Sequence, residues 1–158
     1  MNDDAIPALH AVDDGNHILL LTPTTPQTHD YHYGALIHYI RDRYGKSVHA
    51  MDYNPPPTSN PYLCFDARHL RALDLEGCAG VIVVIDAADA ELARTRGSQF
   101  DFAIEVWNQI GGGVELPAVL VELGGAKRGV GDWGTVLWAK DRRWEALEEV
   151  ATSIFGGR

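Results

Sequence analysis

The segment Gly80–Asp86, GVIVVID, limits what this chain can fold into more than any other stretch. Its five consecutive β-branched residues, Val81 to Ile85, strongly favour a strand. They cannot alternate between a wet and a dry face, so both sides of that strand must be covered. A strand of this kind belongs inside a parallel sheet with helices on either side. The run is also far shorter than the ~20 apolar residues that a membrane-spanning helix needs.

The surrounding sequence supports that architecture. Short apolar runs alternate with segments of helical period, the pattern of an α/β domain. His17–Leu21 (HILLL) reads as a buried strand ending at Thr22 and Pro23. Leu36, Ile37, Ile40 and Tyr44 follow helical spacing, and Gly45 is placed to close that helix. Ser47–Tyr53 is a second strand, and Asn54–Pro61 (NPPPTSNP) is a stiff loop. A helix is expected over Phe65–Leu75, with Phe65, His69, Leu70 and Leu73 on one side. The loop Ala87–Gly97 leads into a helix from Ser98 to Ile110, which Gly111–Gly113 interrupts. Pro117–Leu123 is the fourth strand, and the glycine-rich loop Gly124–Gly134 follows it. Thr135–Lys140 is a short fifth strand. A last helix from Asp141 to Phe155 lines up Trp144, Leu147, Val150, Ala151 and Ile154. The reading is a flavodoxin-like, doubly wound, mainly parallel five-stranded sheet of order 2-1-3-4-5. Sheets of this type bind ligands beyond the carboxyl ends of their strands, at the switch point. Here that edge carries Thr22–Asp30, Asp52–Pro61 and Asp86–Gly97.

Length and composition bound the rest. The 158 residues, 46% of them hydrophobic, suit one domain over positions 16–158. Positions 1–15 hold Asp3, Asp4, Asp13 and Asp14 without a basic residue. That is the opposite of a signal peptide, and a loosely held arm is expected there. A formal charge of −9 argues against nucleic-acid partners and anionic membranes. Cys64 and Cys78 form neither a CxxC motif nor a disulfide framework, so a cytoplasmic location is expected. No cofactor and no metal are assigned, since His29, Asp30 and His32 lack a supporting ligand set. Gly129–Gly134 matches GxGxxG but precedes a strand, whereas a dinucleotide site needs a helix start.

Asp101 is the most informative acid. Ser98 followed by Asp101 resembles a capping box, in which the carboxylate merely supports the helix start. The same placement suits a reactive carboxylate, because a helix N-terminus favours the ionised form. An oriented carboxylate is what attack on an anomeric carbon, or stabilisation of an oxocarbenium ion, requires. Asp101, Glu105 and Asn108 form a narrow polar stripe between apolar flanks. Asp86 ends the best strand and is as well suited to a structural as to a functional role. Thr22, Pro23, Tyr31, His32, Tyr53 and Ser98 are the candidate pocket residues. Phe102 and Trp107 widen the apolar stripe beyond one helix side, which predicts a homo-oligomer, at least a dimer.

The run from Phe65-Asp66 through Leu73-Asp74-Leu75-Glu76-Gly77-Cys78 to Asp86 resembles the middle of nucleoside 2-deoxyribosyltransferase-like proteins. Gly97-Ser98-Gln99-Phe100-Asp101 is similar to that family's Gly-Thr-x-Phe-Glu element. Leu116–Val121 is similar to its Lys-Pro-plus-strand, and Leu20-Leu21-Thr22-Pro23 to its first strand and turn. The resemblance covers about residues 17 to 123. It implies a carboxylate nucleophile at Asp101, one methylene shorter than the family's glutamate, and a nucleoside or nucleotide substrate. Asp86 would then position the sugar hydroxyls or the base. Toll/interleukin-receptor-like NAD-cleaving domains share the layout, and in that likeness Glu105 takes the part. Both resemblances imply cleavage of an N-glycosidic bond. An inactive nucleotide-binding or protein-interaction module with the same fold is the alternative.

Overall fold

A computed structural model describes residues 5–12, 15–23, 33–53, 77–88, 90–110, 116–124, 133–141 and 143–156. The elements are α1 (Ala5–His10), β1 (His17–Pro23), α2 (Gly34–His38), β2 (Val48–Tyr53), β3 (Cys78–Asp86), α3 (Ala90–Ala93), α4 (Arg96–Gln109), β4 (Ala118–Leu123), β5 (Val136–Ala139) and α5 (Trp144–Ala151). Helices α2 and α5 each run on into a wider π-helical turn, Tyr39–Arg43 and Thr152–Gly156. Gly45 closes the first of these with φ +67°, so that the Lys46 N–H reaches the Ile40 carbonyl at 3.0 Å.

The five strands form one parallel sheet in the order β2-β1-β3-β4-β5. This is the flavodoxin-like arrangement that the alternation of elements predicts. β3 sits at its centre, and Val81 to Ile85 are each at most 1% exposed. Its even residues Ile82 and Val84 pack under α1, α2 and α5 with Leu36, Ile40, Leu147 and Ile154. Its odd residues Val81, Val83 and Ile85 pack under α4 with Phe102, Ala103 and Val106. The period-two geometry of a strand thus divides one apolar run between two cores. No helix among the described residues is long and apolar enough to cross a membrane.

The amino-terminal region departs from expectation. A loose arm is predicted over positions 1–15, but α1 is packed into the first core, with Ala5 and Leu9 buried. Ala5 and Leu9 share one helical side and Val12 follows just beyond the helix, an apolar stripe too short to stand out in the sequence. Leu9 lies over Gly80, where a Cβ would collide with its Cδ2. Lys46 Nζ donates to the carbonyls of His10 and Val12 and closes the end of the helix. The helix expected over Phe65–Leu75, with Asp66 and Asp74, lies outside the described residues, as does the Asn54–Pro61 loop.

Two substitutions test this packing. Leu9→Ala is expected to cost about 2–5 kcal/mol in urea unfolding, the range for a buried leucine, where a loose arm would cost almost nothing. Gly124 has φ +72°, and a Cβ there would lie 2.6 Å from the Ala88 backbone. Gly124→Ala is therefore expected to lose more than about 2 kcal/mol by the same measurement.

Candidate functional site

The site begins where two strands part. β1 donates to β3 from alternate residues, starting with the His17 N–H on the Gly77 carbonyl at 2.9 Å. The register runs to Leu21–Val83 and stops there. The next donor in that alternation is Pro23, which has no N–H. Its would-be acceptor, the Val84 carbonyl, takes the Tyr53 hydroxyl instead, at 2.5 Å. The carboxyl ends of β1 and β3 are thereby held by a phenol from β2 at the topological switch point.

Each face of the sheet brings its own residues to this point. On the α2 side, the Tyr33 hydroxyl donates to Asp86 Oδ2 at 2.7 Å and lies 3.5 Å from the Pro23 carbonyl. Asp86 Oδ1 accepts the Ala88 N–H at 2.8 Å, and the residue has no exposed surface. On the α4 side, the Tyr53 ring stacks on Phe102 with centroids 4.0 Å apart. Burial, with the Asp86 carboxylate as a lesser cause, holds the Tyr53 phenol well above its ordinary range, so it stays a neutral donor. Thr22 is buried and donates its hydroxyl to Asp52 Oδ1 at 3.1 Å, and Pro23 is buried beside it.

Gln99 ties the centre of the sheet to α4. Its Oε1 accepts the Asp86 backbone N–H at 2.7 Å. Its Nε2 faces the Asp86 carbonyl, the Leu92 carbonyl and Thr95 Oγ1, each at 3.0 Å. The side-chain amide thus substitutes for β1, whose pairing with β3 ends at Leu21–Val83, while β4 still pairs with Asp86 on the other side. Beside it, the Arg96 guanidinium donates to the buried Glu122 Oε1 from α4 to β4. It also lies 5.1 Å from the Phe100 ring centroid.

These contacts correct the reading of the helix start. Ser98 and Asp101 are not a capping box, because α4 begins at Arg96 with Thr95 as its flanking residue. The first turn contains no acid, and Asp101 lies in the second turn. The short helix α3 feeds directly into α4, and the Gln99 N–H already bonds the Thr95 carbonyl at 2.9 Å. The helix dipole argument for Asp101 loses most of its force at that distance. Ser98 is buried, and its hydroxyl has no hydrogen-bond partner.

Asp101 and Glu105 are both half-buried on α4. Ser98 and Glu105 lie four before and three after Phe102, hence on its side of the helix, with Asp101 one turn before Glu105. This is the flank that meets Tyr53. Asp86 is not gathered with them: its side chain belongs to the α2 face of the sheet, while α4 covers the other face. Tyr31 and His32 lie outside the described residues. Phe102 is buried and Trp107 packs on Trp133, with ring centroids 4.7 Å apart. The apolar excess that predicts an oligomer through this helix is thus largely satisfied within the chain, leaving Ile104 exposed.

Tyr33, Gln99, Arg96 and Glu122 were not singled out by the sequence. Only Glu122 left a signal there, as an acid inside an otherwise apolar strand. Replacing Gln99 by Leu removes the side-chain amide that meets both backbone groups of the buried Asp86. A loss of about 3 kcal/mol is expected in urea unfolding, with reduced hydrogen-exchange protection of the Asp86 N–H. Compared with known proteins, the chain matches no family model, and no curated protein is significantly similar to it.

Proposed function

We propose that this chain cleaves the N-glycosidic bond of a nucleoside or nucleotide, by hydrolysis or by transfer to an acceptor. The supporting observation is the position of two half-buried carboxylates, Asp101 and Glu105, on the flank of α4 that packs against Tyr53 at the parting of β1 and β3. One of them serves as nucleophile or as the charge facing an oxocarbenium ion. The carboxylate approaches the anomeric carbon as the bond to the base breaks, and the base leaves with a proton. Water, or a second base, then takes the sugar.

Asp86 has a different part in this reading. Its carboxylate is occupied by Tyr33 and the Ala88 N–H, so it ties the residue ahead of α2 to the end of β3 and does not itself meet the sugar. Pro23 and Tyr53 lie at the strand ends on this side, Thr22 turns to the other face of the sheet, and Ser98 is the hydroxyl on the helix. Tyr31 and His32, which lie outside the described residues, are the stacking and hydrogen-bonding groups that this reading takes from the sequence.

A panel of nucleosides, 5′-nucleotides and NAD, followed by chromatography of released base, tests the proposal. Asp101→Asn or Glu105→Gln is expected to lower turnover by at least about 100-fold, as loss of a covalent or charge-stabilising group does. Asp101 as the sensitive position favours the deoxyribosyltransferase likeness, and Glu105 the NAD-cleaving one. Unchanged turnover in both variants, or no base released from any substrate, would reject the reading.

A further inference from the structure

Glu122 lies outside the crevice just described, one residue before the carboxyl end of β4. Its side chain has no exposed surface, and only one of its two oxygens is satisfied. Oε1 accepts from Arg96, whereas Oε2 has no hydrogen-bond partner among the described residues. A buried carboxylate oxygen without a donor costs stability, and such a group calls for a reason. The position supplies one, because carboxyl strand ends are where open α/β sheets take ligands.

The neighbour across the strands has the complementary property. Trp138 is the register partner of Glu122 on β5, so the two Cα atoms lie side by side in adjacent strands. Strand geometry turns both side chains to the sheet face that α4 covers. Trp138 is 41% exposed, and its Nε1–H lies 3.4 Å from the Gly124 carbonyl. Its indole ring is thus partly open to solvent and anchored at its edge, in the strand beside the one that carries Glu122. Arg96 is 20% exposed and borders the same carboxylate.

We infer that Glu122 and Trp138 form a second site, for a planar ring that presents an N–H donor edge, a guanine-type base being the simplest occupant. The ring stacks on Trp138, and its N–H donates to Glu122 Oε2. Arg96 stays on Oε1 and keeps the carboxylate ionised and oriented. This site uses the β4–β5 side of α4, opposite the flank that bears Asp101 and Glu105. It stands whether or not the glycosidase proposal does.

Isothermal titration of the intact chain with guanosine tests it, with caffeine as a ring of similar stacking area that has no N–H donor. Guanosine is expected to bind, and caffeine to bind at least about tenfold more weakly, the worth of one charge-assisted hydrogen bond. Glu122→Gln places an amide NH2 where the open oxygen was, so guanosine affinity falls at least about tenfold while Arg96 keeps its acceptor. Trp138→Ala removes the platform and lowers the binding of both compounds, and Trp138→Phe restores it in part. Trp138 is exposed, so its variants stay folded even if Glu122→Gln does not. Failure of guanosine to bind the wild-type chain at millimolar concentration overturns the inference and leaves a bridging water as the partner of Oε2. Caffeine binding as tight as guanosine, or guanosine binding unaffected by Trp138→Ala, overturns it equally.

Discussion

The missing N–H of Pro23 is the constraint on which this molecule's carboxyl edge depends. A parallel pair of strands continues as long as each alternate residue donates, and here the series fails at one proline. The Val84 carbonyl is already deep in the protein and must find another donor, because a buried carbonyl left alone is costly. Tyr53 provides it, and that single bond has consequences on both sides of the sheet. It fixes the end of β2 against β3, and it turns the phenol ring into a surface for Phe102. The stack in turn sets which flank of α4 meets the crevice.

A second set of polar contacts keeps α4 in place along its axis. Hydrophobic packing of Phe102, Ala103 and Val106 attracts the helix to the sheet without fixing where along the strands it stops. Gln99 and the Arg96–Glu122 pair are directional and fully or largely buried, so they fix that position. The cost of burying Glu122 is offset in part by its arginine, and in part by lying near the positive end of a 14-residue helix. The same contacts determine how far Asp101 and Glu105 stand from the strand ends. A functional reading of those acids therefore rests on residues that touch no substrate.

Much of the architecture was legible before any coordinates. Five β-branched residues in a row demand cover on both faces, and the helices needed for that cover were visible as 3.6-residue periods. The strand order followed from the preference of such alternations for a doubly wound sheet. Gly45 was readable as a helix end because a left-handed residue is needed there. The first helix was not legible, since so short an apolar stripe carries little signal until Gly80 leaves room for Leu9. The start of α4 was misplaced by two residues for a related reason. Ser98 and Asp101 fit a capping pattern locally, but the turn from α3 through Thr95 had already begun the helix.

The sequence by itself determined the class of fold, the central position of β3 and the chemical types available at the carboxyl edge. These follow from local periodicity and from the cost of leaving β-branched side chains in water. Only the tertiary structure decided which of the acids stand together. Asp86 and Asp101 look like a pair when written in one line, but strand parity sends Asp86 to the α2 face while Asp101 and Glu105 belong to α4, which covers the other face. Glu122 seemed an ordinary interruption of a strand until β5 placed Trp138 beside it and α4 brought Arg96 to one of its oxygens. Side-chain partners across an α/β sheet are set by register and by where each helix comes to rest. Both arise from contacts between residues distant in the chain, and no local pattern encodes them.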